Sequence, residues 1–189
     1  MEKIEIGVDA VSYPMPCSLV GCKVAGKPNF LTVAWFSMVN FKPPYIMVAL
    51  GKSHHSNAGI KENGAFSINI PSVSMAETVD YCGLVSGRKI DKSTVFGVFY
   101  GKTGVPMVKE CPYNLECKLV RTVDLPADEI FIGEIVGAYA SSEFLTDGAP
   151  DMSKMQPFIL NMPQKTFLGL GGAIGRAWEI GKGFIRKGG

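Results

Sequence analysis

Short apolar runs separated by glycine, proline and asparagine dominate the chain. Residues 30–39 (FLTVAWFSMV) are rich in β-branched and aromatic side chains and stop at a segment with a double proline, Pro43–Pro44, which predicts a strand. Residues 45–50 (YIMVAL) form a continuous apolar run, the pattern of a strand buried on both faces. Residues 65–70 (AFSINI) alternate apolar and polar and stop at Pro71. Residues 115–123 and 130–140 predict a strand pair joined by a turn around Pro126, and 158–160 and 167–170 predict two late short strands.

Helical signals are fewer. Ser74-Met75-Ala76-Glu77 has the capping-box spacing, with Ser74 as N-cap, and the helix it opens is expected to end near Gly83. A second short helix is expected over 56–63, closed by Gly64. Many strands with two short helices predict a mainly β protein, a closed or nearly closed antiparallel barrel. No repeat, low-complexity tract or linker interrupts the chain, so residues 1–189 read as a single domain.

Composition adds an expectation of assembly. Charged residues make up 19%, below the roughly 25% usual for soluble domains, and hydrophobic residues 47%, so part of the surface is expected to lie in an oligomer interface. The 19 basic and 17 acidic residues nearly cancel, which argues against a nucleic-acid partner. The first twenty residues carry early acids and internal prolines, unlike a signal peptide, and no apolar stretch approaches about 18 residues. A cytoplasmic protein with no membrane partner is expected. The five cysteines (Cys17, Cys22, Cys82, Cys111, Cys117) form no C-x-x-C pair and read as reduced, buried thiols, with Cys82 beside a charged loop.

Two segments suggest chemistry. The loop 52–57 (Lys52, Ser53, His54, His55, Ser56, Asn57) precedes a helix, whose N-terminus offers free N–H groups and partial positive charge to a phosphate. Ser53 and Ser56 add hydroxyls and Lys52 a full charge, although Ser56 taken alone reads first as a simple helix cap. Residues 86–93 (SGRKIDKS) bring Arg88, Lys89 and Lys92 together, either as a solvated loop or as the other wall of an anion cradle. The glycine-rich tail 167–184 does not fit the dinucleotide spacing G-x-G-x-x-G. His54 and His55 are adjacent and point to opposite faces of an extended segment, so no metal site is expected. With no nucleophile–base pair, no catalytic residue is assigned.

The order strand, Pro43–Pro44, strand, Lys52-Ser-His-His-Ser56, then Glu62-Asn-Gly-Ala-Phe-Ser-Ile-Asn-Ile-Pro71 resembles the flavin reductase-like, FMN-binding split-barrel family, and within it the flavoredoxins. Cys82-Gly-Leu-Val-Ser-Gly-Arg88 with Asp91-Lys92, and Gly175-Arg-Ala-Trp-Glu-Ile-Gly-Lys182, match two further motifs, in register over residues 11–182. The resemblance implies an antiparallel split β-barrel and a homodimer with FMN at or near the subunit interface. It implies that the flavin ring lies against Val33, Ala34, Trp35, Phe36, Ser37 and Met38. The phosphate would go to Lys52, Ser53, His55, Ser56 and Asn57 and to Arg88, Lys89 and Lys92. Trp35 reads equally as a flavin contact or as core.

Such a protein needs few acid–base residues, because hydride transfer occurs at the cofactor. The leading expectation is an FMN oxidoreductase of flavin reductase type, taking electrons from NAD(P)H or another donor to flavin, ferric iron or a redox protein partner. The alternative is a non-catalytic electron carrier between protein partners. A third is a cofactor-binding protein without redox turnover.

Overall fold

The computed structural model describes residues 1–8 and 14–184, so the first residues of the family register, 11–13, lie outside the described part. A short strand β1 (Met15–Pro16) precedes β2 (Ser18–Val24), β3 (Lys27–Val33), β4 (Phe36–Asn40) and β5 (Tyr45–Gly51). Helix α1 (Ser56–Asn63) leads into β6 (Ala65–Ile70), and a 3₁₀ turn (Val73–Met75) into α2 (Ala76–Leu84). Short strands β7 (Val98–Tyr100) and β8 (Pro106–Val108) precede the long pair β9 (Tyr113–Asp124) and β10 (Asp128–Ala140). The chain continues through β11 (Leu145–Thr146), β12 (Ala149–Pro150), α3 (Met152–Met155), β13 (Phe158–Asn161) and β14 (Thr166–Gly169).

Seven strands form one antiparallel sheet in the order β3-β2-β6-β9-β10-β5-β4. Its two edges, β3 and β4, are consecutive in sequence and joined only by Ala34 and Trp35. A two-residue link between opposite edges forces the sheet to curl round on itself, which gives the expected split barrel. The same fact corrects the single strand expected over 30–39. The run breaks at Ala34–Trp35, where it leaves β2 and joins β5, and the Ala49 N–H donates to the Trp35 carbonyl at 2.9 Å.

Val20, Val48, Phe66, Ile68 and Phe131, each fully buried, fill the barrel. A second core lies under α2, where Leu19, Phe30, Val79 and Cys82 meet Phe158. Strand β5 buries Ile46, Val48 and Leu50 on one face and half-buries the other, so the expectation of two buried faces holds only in part. In β6 the alternation is kept, yet its polar face is also buried. Ser67 Oγ donates to the Pro106 carbonyl at 2.6 Å, and Asn69 accepts from the Val108 N–H at 3.0 Å, which fastens β8 over the sheet.

Helix α1 has the expected bounds, and Gly64 closes it in the left-handed conformation at φ 61°. The α2 capping box does not form. Ser74 sits in the 3₁₀ turn with its hydroxyl 2.7 Å from that of Ser72, and α2 begins at Ala76. The helix ends at Leu84, near Gly83 as expected, but Val85 rather than the glycine is its C-cap. A Cβ on Gly83 would lie 3.4 Å from that of Thr32, so this glycine lets α2 pack closely on β3. All five cysteines are buried and unpaired, as expected.

Candidate functional site

The end of β5 places the loop 52–55. Its Lys52 N–H donates to the Ala127 carbonyl at 3.0 Å and its His54 N–H to that of Gly51 at 3.0 Å. Asn57, buried in the first turn of α1, donates to the Gly51 carbonyl at 3.2 Å and to Glu129 Oε2 at 2.9 Å. Its Oδ1 is buried without a partner. Ser56 is not the helix cap, a position held by His55 without a side-chain bond. Instead the Ser56 hydroxyl accepts from Asn29 Nδ2 of β3 at 2.8 Å. That bond ties the start of α1 to the neighbouring strand.

The opposite wall is the loop after α2. The Ser86 carbonyl accepts from the N–H groups of Lys89 at 2.9 Å and Ile90 at 3.1 Å, and Ser86 Oγ from that of Arg88 at 3.3 Å. A Cβ on Gly87 would lie 2.1 Å from Asn29 Oδ1, so the loop passes β3 at a distance only glycine allows. Lys92 then turns inward and is 3% exposed. Its ammonium donates to the Cys82 carbonyl at 2.8 Å and has no ion-pair partner among the described residues. Burial lowers its pKa, partly offset by the nearby thiols of Cys82 and Cys22.

Between these walls lie two adjoining hollows. The first, about 220 Å³, is lined by Ser53, His54, His55 and Ser56 on one side and by residues 83–87 and Lys92 on the other. The second, about 330 Å³, is lined by Lys27, His55, Gly87, Arg88, Lys89 and Lys92. Asn29, His55, Gly87 and Lys92 line both. A third hollow of about 290 Å³ is more apolar and is lined by Val33, Ala34, Trp35, Leu50 and Leu160, with Asp128 at its edge. His54 lines this one and the first, so the apolar and the polar hollow share it as a wall. Burial lowers the His54 pKa and so favours the neutral imidazole, while nearby Asp128 pulls the other way.

The expected site residues therefore separate. Val33, Ala34 and Trp35 line the apolar hollow; Ser53, His55, Ser56 and Lys92 the first polar one; and Arg88 and Lys89 only the second. Phe36 packs against the barrel core, while Ser37 and Met38 lie exposed on edge strand β4, lining none of the three. Asn57 lies beneath, held by Glu129. Lys52 is turned away: its ammonium pairs with Asp124 at 2.8 Å, and it lines none of the three hollows. Trp35 is 45% exposed, which removes it from the core.

Sequence reasoning missed Asn29 and Asp128, and placed His54 only as a member of the 52–57 loop. Asn29 sits inside an apolar strand and reaches the site only because β3 runs beside α1, for which no local signal exists. Gly87 was visible only as part of a motif.

The donor set suits a phosphorylated ring compound. Three serine hydroxyls, two imidazoles and a buried ammonium, with no carboxylate in that lining, complement an anion. Ala34 and Trp35 line the apolar hollow beside it. The N–H groups of Ala34 and Trp35 give to no backbone carbonyl among the described residues.

The architecture is that of a split-barrel protein with an apolar hollow beside a basic one. Residues 10–152 match the model of the flavin reductase like domain, and the chain belongs to that family. It is similar to the crystal structure of flavoredoxin from Methanosarcina acetivorans, at 46% identity and a TM-score of 0.94, covering 96% of this chain and 98% of that one. The flavoredoxin of Desulfovibrio vulgaris (Miyazaki F) matches at 32% identity and a TM-score of 0.89, covering 96% and 100%. A ferric-chelate reductase (NAD(P)H) of Archaeoglobus fulgidus is 34% identical over 101 residues, 51% of this chain and 59% of that protein.

Proposed function

We propose that the chain binds FMN, with its phosphate in the first polar hollow and its ring along Val33–Trp35. In that site FMN would pass electrons from NAD(P)H or another donor to flavin, ferric iron or a protein. The observation that carries this reading is Lys92, a buried ammonium with only a neutral carbonyl for partner among the described residues, lining the hollow that also holds Ser53 and Ser56. A buried cation is costly unless something compensates it, and a phosphate dianion would do so. Ser53 and Ser56 would donate to the phosphate, and the Asn29 bond holds Ser56 in place for it. Ala34 and Trp35 would offer backbone N–H groups to the polar edge of the ring.

Electron exchange is the chemistry the bound flavin supplies. The chain's part is to hold the ring, exclude water from one face with Val33, Leu50 and Leu160, and leave the other open. His54, kept neutral by burial, offers a hydrogen bond between the two hollows without adding charge. A cytoplasmic location is part of the same proposal, supported by five buried, unpaired cysteines that a reducing compartment would keep as thiols.

The protein is further proposed to act as a homodimer. Edge strand β4 and its turn expose Met38, Val39 and Phe41, and the tail exposes Ile174, Trp178, Ile180 and Phe184. A second copy of this low-charge chain is the partner that would cover them.

A carrier without its own turnover is the second reading, supported by the likeness to two flavoredoxins. The visible spectrum of the purified protein separates the readings. Yellow colour that bleaches anaerobically with NADH or NADPH supports the enzyme. Colour that does not bleach supports the carrier, and a colourless protein that takes up no added FMN overturns the flavin assignment.

A further inference from the structure

A hollow of about 720 Å³ shares no lining residue with the three at the flavin site. The run 169–173 lines it, together with apolar Val73, Met152 and Pro157 and polar Asp151, Ser153 and Gln156. This run carries on from β14, the outer strand of its sheet, which pairs with β13 and with nothing beyond. Residues 170–173 make no backbone hydrogen bond among the described residues, so the sheet ends there in open N–H and C=O groups. Phe167 turns inward onto Phe158, with ring centroids 5.2 Å apart. Strand alternation then turns Leu168 and Leu170 to the other face, where both are about half exposed. A Cβ on Gly171 or Gly172 would meet nothing within 4 Å, so no side chain bars an approaching backbone. Such an edge is a template for one more strand.

The same chain carries an unused strand pattern. Ile4, Ile6 and Val8 alternate with Lys3, Glu5 and Gly7, the period of a half-buried strand. Yet residues 1–8 belong to no strand or helix, and the three apolar side chains are 82%, 78% and 96% exposed.

We propose that residues 3–8 of a second copy add as a strand to the 166–173 edge, each copy giving one segment and receiving one. The proposal rests on the homodimer reading. Within one chain the segment and the edge stay apart, and a two-fold dimer satisfies both at once. The edge also runs straight into Ile174 and Trp178, exposed tail residues that the same partner would cover. Main-chain hydrogen bonds would supply much of the affinity, and alternate side chains the register. Ile4 and Ile6 would lie beside Leu168 and Leu170 as cross-strand pairs. Lys3 and Glu5, on the other face, would meet the polar part of the hollow. There Lys3 has the charge opposite to that of Asp151, and the Gln156 amide can donate to Glu5.

The test measures the dimer dissociation constant of the full chain by sedimentation. Hydrogen-exchange mass spectrometry follows the amides of residues 4–8 above and below that constant. Ile4→Asp/Ile6→Asp alters the segment and Leu170→Asp the edge; all three side chains are exposed, and circular dichroism checks the fold. Amides 4–8 are expected to exchange about tenfold more slowly in the dimer, and either variant to raise the dissociation constant about tenfold or more. Combining the variants should weaken the dimer no further than the more damaging of the two does alone, because both break one contact. Equal exchange in dimer and monomer, with an unchanged dissociation constant for the segment variant, overturns the added strand and leaves the dimer reading standing. Weakening by the segment variant alone, or additive losses, overturns this edge as its seat. Protected amides in a protein that stays monomeric overturn the second copy as donor. A monomer with unprotected amides removes the dimer reading and the proposal with it.

Discussion

The Lys92 ammonium donates to the Cys82 carbonyl at 2.8 Å, and this is its one hydrogen bond among the described residues, although the side chain is 3% exposed. The contact joins the basic loop to the end of α2 and leaves two ammonium donors unused. A residue retained in such a costly setting is better explained by a ligand than by the fold.

Lys92→Met tests that distinction. FMN affinity is expected to fall roughly ten- to a hundredfold, the worth of one charge-assisted bond of about 1.5–3 kcal/mol. Riboflavin, which lacks the phosphate, should bind variant and parent alike. The apoprotein should melt no lower than the parent, because an unpaired buried charge has been removed. A lower melting temperature with equal losses for both ligands would make Lys92 a structural residue.

The same residue sets a pH dependence. Burial holds the Lys92 pKa below the ordinary lysine range in the free protein, and a bound phosphate would raise it again. Binding must therefore take up a proton once pH exceeds the lowered value, so FMN affinity should decline as pH climbs through it. Riboflavin affinity should stay level. Apoprotein stability has the opposite slope in that window, since the unfolded chain binds the extra proton and folding releases it. Isothermal titrations above about pH 7, where the phosphate is already a dianion, read the first effect. Parallel pH slopes for the two flavins would sink it.

Where a local pattern met a local rule, the sequence was a sufficient guide. The bounds of β6 and α1, and Gly64 closing α1, follow from alternation, from a polar stretch before the helix and from left-handed glycine. What escaped it was tertiary. The break at Ala34–Trp35 exists because β3 and β4 sit at opposite edges of one curled sheet, a fact no window of sequence contains. Gly83 resembles a helix terminator but is a packing glycine against Thr32. Lys52 has the right charge in the right loop, and its course is decided by Asp124, seventy-two positions further along the chain. Asn29 had no signal because a polar residue in a strand reads as a solvent-facing one.

Gly87 and Asn29 should be energetically coupled. With 2.1 Å between a Cβ at position 87 and Asn29 Oδ1, Gly87→Ala must displace the loop or the strand, at about 1–3 kcal/mol. Asn29→Ala makes room but frees Ser56 from its 2.8 Å bond. The double variant should therefore be more stable than the sum of the two single losses by about 1 kcal/mol. Urea unfolding of the four proteins measures this, and strict additivity would mean that the loop relaxes without touching β3.

No cysteine is expected to take part in electron transfer. Burial raises the thiol pKa of Cys82, and of Cys22 and Cys17 to about 11 and about 12, so none is a thiolate near neutral pH. Cys82→Ser keeps the backbone carbonyl that Lys92 uses. Flavin reduction by NAD(P)H, or by dithionite if the nicotinamides are inert, should change less than twofold. A loss beyond tenfold, about 1.4 kcal/mol of barrier, would show that the thiol participates.

The last expectation concerns assembly. Phe41 is 90% exposed in the turn after β4, and Val39 and Met38 are about half exposed on the strand itself. This strand forms one edge of the sheet, and Trp35 at its start lines the apolar hollow. A second copy covering this edge would also cover one side of the ring site, so dimerisation and flavin affinity should be linked. Val39→Glu, which puts charge on the edge without touching any of the three hollows, should shift the protein from about 41 kDa, twice the 20.4 kDa chain, towards monomer in sedimentation experiments. FMN affinity should fall with it and recover at high protein concentration. A Val39→Glu monomer that binds FMN as tightly as the parent would separate the flavin site from the interface, and a parent sedimenting as a 20.4 kDa monomer with flavin bound would remove the dimer altogether.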